Sequence, residues 1–428
     1  MRRHVSLASL FIAATLLPLS GCQSTASATT EPTSSAAPAE SSATSATPDV
    51  ATPVAVKQDF AAWVVDFRHQ ARREGIDAVT LAAAFDSVSY LPRVIELDRS
   101  QPEFTRQVWD YLDSAVSDAR VTQGRAKWAE RREAIAAASE RYGVPDEILV
   151  AIWGIESNYG GNFGSFSTID ALATLGYDGR RPDFARSQLM AALRILERGD
   201  ISRERMRGSW AGAMGHTQFI PTSFEAYARD ADGDGRRDIW GSIADVMAST
   251  AYYLDKAGWQ TGKTWGVEVR LPASFNYAQT ELSTRRSSQE WMAQGVTPVR
   301  GDALPDFSEA SVIAPAGADG PAFLVGHNFR VIMRYNASTS YALAVGLLSN
   351  RLSGEPGVVV EWPRDEPALS RTQIKQLQAQ LNAHGFDVGT PDGIIGPNTR
   401  RGLREFQRSI GEIPDGFATL DLLERLKR

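Results

Sequence analysis

One carboxylate stands where a carboxylate is costly. The stretch Ile148-Leu-Val-Ala-Ile-Trp-Gly-Ile155 is apolar nearly all round, as in a helix packed inside a domain, and Glu156 follows it directly. At about 100° per residue, Glu156 falls between Leu149 and Ile152, in the most apolar sector. Desolvation there holds a carboxyl proton more tightly than water does. A Glu so placed serves as a general acid near neutral pH. A structural ion pair with an Arg, or a frayed helix end reaching water, would account for the same residue without chemistry.

A second polar set lies in Gly208 to Ser223, where Ser209, His216, Thr217 and Gln218 stand among glycines and alanines. The small residues keep the backbone thin, so a ligand or another helix can approach closely. His216 has no second His or Cys at ligand spacing and reads as a non-metal residue. A third set is Asp230-Ala-Asp-Gly-Asp-Gly-Arg236. Asp230, Asp232 and Asp234 occupy the first, third and fifth positions of a loop resembling the start of an EF-hand, with the backbone carbonyl of Arg236 next in turn. Gly241 stands where the usual closing Glu would be, and Asp245 can close a longer loop. An all-oxygen set of this kind suits a structural Ca²⁺; an acidic turn without an ion is the alternative.

The elements that must position these residues are mostly helical. Pro145 suits a first helical position, Asp146 and Glu147 favour the positive helix end, and Gly160-Gly161 suits its close. Helical spacing recurs over Phe60–Phe85, Arg120–Tyr142, Phe184–Glu197, Ala244–Lys256 and Tyr341–Asn350. Short β-like runs occur at Val267–Leu271 and Phe329–Met333. The expected class is mainly α with small β-containing insertions.

The chain has 428 residues, 43% hydrophobic and 22% charged, enough for a normal core and two or three domains. Its net charge of −6 comes without a basic block or basic-aromatic stripe, so no nucleic-acid partner is expected. Cys22 is the sole cysteine, which rules out an intrachain disulfide. It closes Leu19-Ser-Gly-Cys22, which resembles a bacterial lipobox behind a basic start and an apolar run too short to span a membrane. Lipidation of Cys22 is the expectation, with an ordinary cleaved signal peptide as the alternative. Gln23 after it resembles proteins sorted to the outer membrane, so the reading is a lipoprotein of a Gram-negative bacterium facing the periplasm. Residues 23–56 are almost entirely Ser, Thr, Ala and Pro and are expected to form a disordered tether with a reach of roughly 30 Å.

The pair Ile152-Trp-Gly-Ile-Glu-Ser-Asn-Tyr-Gly160 and Ala211-Gly-Ala-Met-Gly-His-Thr-Gln-Phe-Ile-Pro-Thr-Ser223 resembles the lytic murein transglycosylase B family. The likeness runs across 57–352 and takes in Tyr335-Asn336 and Tyr341. One departure stands out: His216-Thr217 replaces Tyr-Gly before the motif's glutamine. Beyond a linker at 353–367, residues 368–428 resemble the peptidoglycan-binding domain type 1, a three-helix module with paired Asp-Gly turns at Asp392 and Asp415.

These resemblances imply a lysozyme-like helical catalytic domain acting on the glycan strands of peptidoglycan. They imply Glu156 as the single catalytic acid, then base, yielding a 1,6-anhydro sugar with no cofactor. They also imply substrate contacts at Ser209, Gln218, Tyr253, Tyr335, Asn336 and Tyr341, and a lengthened calcium loop ending at Asp245. Partners in cell-wall synthesis or remodelling are compatible with such an enzyme. Asp170 is the nearest rival carboxylate, though its apolar neighbours fit a helix start. A hydrolytic muramidase, or a wall-binding scaffold without activity, are the competing readings.

Overall fold

The structure, a computed structural model, describes residues 59–100 and 106–428. The readings made on the signal segment, Cys22 and the tether lie outside the described residues.

The first part of the chain is helical. It runs through α1 (Phe60–Arg73), α2 (Ala78–Phe85), α3 (Pro92–Arg99), α4 (Val108–Ala115), α5 (Asp118–Glu130), α6 (Arg132–Tyr142) and α7 (Asp146–Ser157). A two-residue strand β1 (Phe166–Ser167) precedes α8 (Thr168–Asp178) and α9 (Pro182–Glu197), and pairs antiparallel with β2 (Arg207–Gly208). Next come α10 (Pro221–Tyr227) and α11 (Ile243–Lys256).

A small sheet follows, built from β3 (Gly266–Arg270), β4 (Thr297–Pro298), β5 (Ser311–Ile313) and β6 (Ala322–Val325), with α12 (Ser288–Ala293) inserted. Its antiparallel order is β4-β3-β6-β5, and it has its own core of Phe275, Trp291, Phe307, Val312 and Leu324. Helices α13 (His327–Tyr335) and α14 (Thr339–Leu352) return to the main core. The last three, α15 (Arg371–Ala383), α16 (Pro397–Ser409) and α17 (Leu420–Leu426), enclose a separate core around Leu377, Leu381, Leu403 and Leu423.

Helix α7 lies at the centre of the main core. Every residue from Ile148 to Gly154 is buried, under α5, α6, α11 and α14. A helix apolar all round is stable only when covered on all sides, and that is how it is used here. Pro145 caps this helix with extended backbone instead of opening it, and the helix stops at Ser157, before the glycines, because Asn158 turns left-handed at φ 49.

Other expectations need correction. The helical spacing over Phe60–Phe85 belongs to two helices divided at Gly75, whose φ of 102 no helix accommodates; Asp77 then caps the second. Arg120–Tyr142 is likewise divided, at Arg131. Phe329–Met333 is not a strand but the middle of α13. Its aromatic and β-branched residues favour strands, but Asn328, Phe329, Val331 and Ile332 are all buried on one helical face, and packing overrides propensity.

In the C-terminal module, each Asp-Gly turn is held by a buried glutamine from the preceding helix. Gln378 donates to Asp392 Oδ1 at 2.9 Å and accepts from Gly393 N–H at 2.9 Å. Gln407 repeats the pattern on Asp415 at 2.7 Å and Gly416 at 2.8 Å. Asp415 also accepts from Ala318 N–H at 2.8 Å, and Arg404 pairs with Glu281 at 2.9 Å. Both contacts seat the module against the small-sheet region.

Candidate active site and metal loop

The end of α7 explains why its motif has these residues. Ser157 Oγ accepts from Gly160 N–H at 3.1 Å and donates to the Trp153 carbonyl. Asn158 and Tyr159 both take positive φ, reversing the chain sharply. The ring of Tyr159 then folds over Gly154, where a Cβ would lie 2.6 Å from Tyr159 Cζ. Its hydroxyl donates to the Arg120 carbonyl at 3.0 Å. Glu156 is thereby fixed on the last helical turn, half-buried, facing α14.

There it meets Tyr341, whose phenol donates to Glu156 Oε1 at 2.5 Å. Protein crowds this carboxyl while the residue keeps some solvent contact. Burial pushes its pKa up to about 7, and the Tyr341 hydrogen bond only partly opposes that. Burial, and then the charge of Glu156, hold the Tyr341 phenol well above its ordinary value, so it remains a donor. The other groups whose ionisation feels Glu156 are also tyrosines: Tyr111, Tyr253 and Tyr335. Among the described residues no carboxylate contributes to the Glu156 shift. Asp170 is engaged elsewhere, by Arg203 at 2.7 Å near the start of α8.

Tyr253 and Tyr335 pack edge to face at 4.8 Å between ring centres. Their hydroxyls donate to the carbonyls of Arg334 at 2.5 Å and Thr217 at 2.7 Å. Tyr335 therefore ties the Gln218 loop to α13. Asn336 caps the end of that helix, half-buried, and Tyr341 follows one turn later on α14. Tyr111, half-buried on α4, was not legible as a site residue; burial and then Glu156 push it up to about 12.

Gln218 takes a left-handed φ of 51 and donates its amide to the carbonyls of Phe163, at 2.9 Å, and Gly215, at 3.0 Å. Its side-chain oxygen has no partner among the described residues, so it is available to accept. Ser209 Oγ accepts from Ala213 N–H at 3.1 Å, holding the loop's first turn. The loop's small residues serve packing within the protein: a Cβ on Gly208 would lie 1.9 Å from the Ala213 carbonyl oxygen. His216 stacks between Trp153 and Phe163 and accepts the Trp153 indole N–H on Nδ1 at 2.9 Å. Its other ring nitrogen must therefore carry the proton, and burial lowers its pKa from the ordinary value.

In the acidic loop, Asp230, Asp232 and Asp245 each offer an oxygen within 4.8 Å of the others. Asp245 is fully buried, and burial raises its carboxyl to about 6. It accepts from Ala231 and Asp238 N–H, both at 2.7 Å, which leaves lone pairs for a cation. Converging carboxylates, one of them buried, fit a hard cation such as Ca²⁺. Asp234 is not in this cluster: it is exposed and accepts from Arg236 N–H at 2.8 Å.

A mostly helical fold that seats one raised carboxyl among tyrosines, with no partner carboxylate coupled to it among the described residues, is that of a lysozyme-like glycan-cleaving enzyme. The chain belongs to the transglycosylase SLT domain family, whose model matches residues 59–350, and a peptidoglycan binding domain matches 370–426. It is an enzyme of the lytic transglycosylase type. Membrane-bound lytic murein transglycosylase B of Escherichia coli is 30% identical over 297 residues, 66% of this chain and 80% of that protein. SltB3 of Pseudomonas aeruginosa, solved with NAG-anhNAM-pentapeptide, is 51% identical with a TM-score of 0.84, over 87% of this chain and 100% of that one. Slt35 of Escherichia coli, solved with calcium, is 30% identical with a TM-score of 0.59, over 68% of this chain and 92% of that one.

Proposed function

We propose that this enzyme cleaves the MurNAc-β-1,4-GlcNAc bond of peptidoglycan without water, leaving 1,6-anhydroMurNAc ends. The observation that carries the reading is the lone Glu156 carboxyl, raised to about 7 and touched by Tyr341. Near neutral pH a large fraction of Glu156 holds its proton. It gives that proton to the glycosidic oxygen as the bond to MurNAc C1 breaks. The N-acetyl group of the same sugar stabilises the positive charge at C1. Glu156, now a carboxylate steadied by the Tyr341 hydroxyl, takes the proton of the 6-hydroxyl as that oxygen closes on C1. The proton lent is returned, and nothing else is consumed. A hydrolytic route ordinarily needs a second carboxylate to act as nucleophile or to activate water.

Around Glu156, Ser209, Gln218, Tyr253, Tyr335, Asn336 and Tyr341 hold the glycan. The free oxygen of Gln218 accepts a sugar hydroxyl or amide. Tyr335, whose hydroxyl is already committed, contributes ring surface, and Tyr253, only 2% exposed, backs it from within the core. Tyr111 joins this set. That SltB3 binds an anhydro-sugar peptide supports the product assigned here.

Residues 57–352 act as the catalytic domain, and 353–367 link it to a wall-binding module at 368–428 that keeps the enzyme on its polymer. Asp230, Asp232 and Asp245 hold a structural Ca²⁺, which braces the loop that also carries Asp234 and Arg236 and takes no part in the chemistry. No helix among the described residues is long and apolar enough to cross a membrane. Attachment instead falls to lipidated Cys22, which places the enzyme on the outer membrane facing the periplasm, in reach of the wall and its synthesis machinery.

Mass spectrometry of digested peptidoglycan tests this reading. Anhydro ends from the wild type, and none from Glu156→Gln, are expected; reducing muramic acid ends from the wild type would overturn it.

A further inference from the structure

A cleft of about 460 Å³ lies between the catalytic region and the C-terminal module. Cavities of this size hold a drug-sized ligand, such as the end of a short peptide. Thr339 and Ser340, at the start of α14, line one side, directly before the Tyr341 that touches Glu156. Arg400 and Arg404, both on α16, line the other.

The charges in this cleft are not balanced. Its two carboxylates, Glu281 and Asp415, are already used. Glu281 accepts from Arg404 at 2.9 Å, and Asp415 accepts from Gln407 and from the Phe417 and Ala318 N–H groups. Arg404 is 6% exposed, and its Nε has no hydrogen-bond partner. The Arg400 guanidinium has no hydrogen bond or ion pair among the described residues. Arg400 is an exposed residue of the cleft lining, and the charge of Glu281, a carboxylate already paired with Arg404, reaches it. A guanidinium with no ion-pair partner of its own gains from one, and its planar fork matches a carboxylate. Ile313, Leu369 and Ile374 supply apolar walls for the rest of a peptide.

We propose that this cleft binds the free carboxylate of the peptide carried by the glycan, with Arg400 as its counter-ion and Arg404 beside it. The proposal rests on the reading of the substrate as peptidoglycan. The wall-binding module then does more than tether: it adds a specificity element next to the catalytic domain, at the helix that carries Tyr341. A strand cleaved at Glu156 would be chosen by its peptide as well as by its sugars.

Binding of a short synthetic wall peptide, with either a free C-terminal carboxylate or a C-terminal amide, tests this by titration calorimetry. The full chain carrying Glu156→Gln is used, so the readout needs no cleavage and does not depend on which product the enzyme makes. The carboxylate form is expected to bind about tenfold more tightly than the amide. Adding Arg400→Ala should erase that difference, and Arg400→Lys should restore part of it, at an unchanged thermal midpoint. Equal binding of the two peptides, no binding of either at millimolar concentration, or a difference that survives Arg400→Ala would overturn the proposal.

Discussion

The phenol of Tyr341 donates to Glu156 Oε1 across 2.5 Å, and it does so from a different helix, 185 residues along the chain. The contact favours the carboxylate form, while burial favours the acid. The balance leaves the group near neutrality, where one residue can give a proton and then take one back.

Removing that contact moves the balance in a known direction. Activity requires protonated Glu156 at the first step, so the wild-type rate should fall as pH rises through about 7. Tyr341→Phe deletes the interaction that lowers this pKa, so the falling limb should move to higher pH. The maximal rate should drop by roughly 10- to 100-fold, because the returning carboxylate loses its donor. A pH–rate profile of both proteins checks this; a limb that stays put, or moves down, would contradict it.

A raised acid also weakens the fold. Glu156 binds its proton more tightly when folded than when unfolded, where its pKa is near 4.5. Its contribution is therefore complete below about 4.5 and is lost as pH rises through about 7. Glu156→Gln should stabilise the protein at pH 8 by roughly 3 kcal/mol, with little effect at pH 4.5. Denaturant unfolding at the two pH values measures the difference.

Part of this could be read from the residues alone. Glu156 stood out because an unbroken apolar helix leads to it, and packing on all sides is what such a helix demands. The short β elements were harder. Phe329–Met333 has strand-forming residues, and only the burial pattern set by α11 and α14 makes it a helix. Tyr111 gave no signal, since nothing local on α4 marks a tyrosine that will meet Glu156 through tertiary packing. Asp245 could be read as closing the acidic loop, but that Asp234 stays outside the cluster depends on how the loop folds back and not on residue spacing.

His216 titrates in the opposite sense. Its pKa is lowered on folding, because burial disfavours the cation and Nδ1 must stay free to accept the Trp153 indole proton. Its contribution is full above pH 6.5 and is lost as pH falls below that value. His216→Gln keeps an acceptor but cannot titrate. Between pH 7 and pH 5 the wild type should lose stability relative to this variant. Unfolding monitored by tryptophan fluorescence would show it; parallel curves for the two proteins would exclude this role.

Calcium should stabilise the acidic loop. At a hundredfold excess over its dissociation constant the gain is about 2.7 kcal/mol. Asp245→Asn removes the buried carboxylate and should abolish the calcium-dependent rise in melting temperature. Activity at a temperature where both forms are folded should change little on chelation. A rise that persists in Asp245→Asn would place the ion elsewhere.

The central claim is that Glu156 returns the proton it lends and that no water enters the product. Digestion of peptidoglycan in H₂¹⁸O, followed by mass spectrometry of the released sugars, tests it directly. The expected result is anhydro ends without ¹⁸O from the wild type and no such ends from Glu156→Gln. Muramic acid ends carrying ¹⁸O at C1 as the first-formed product would contradict it.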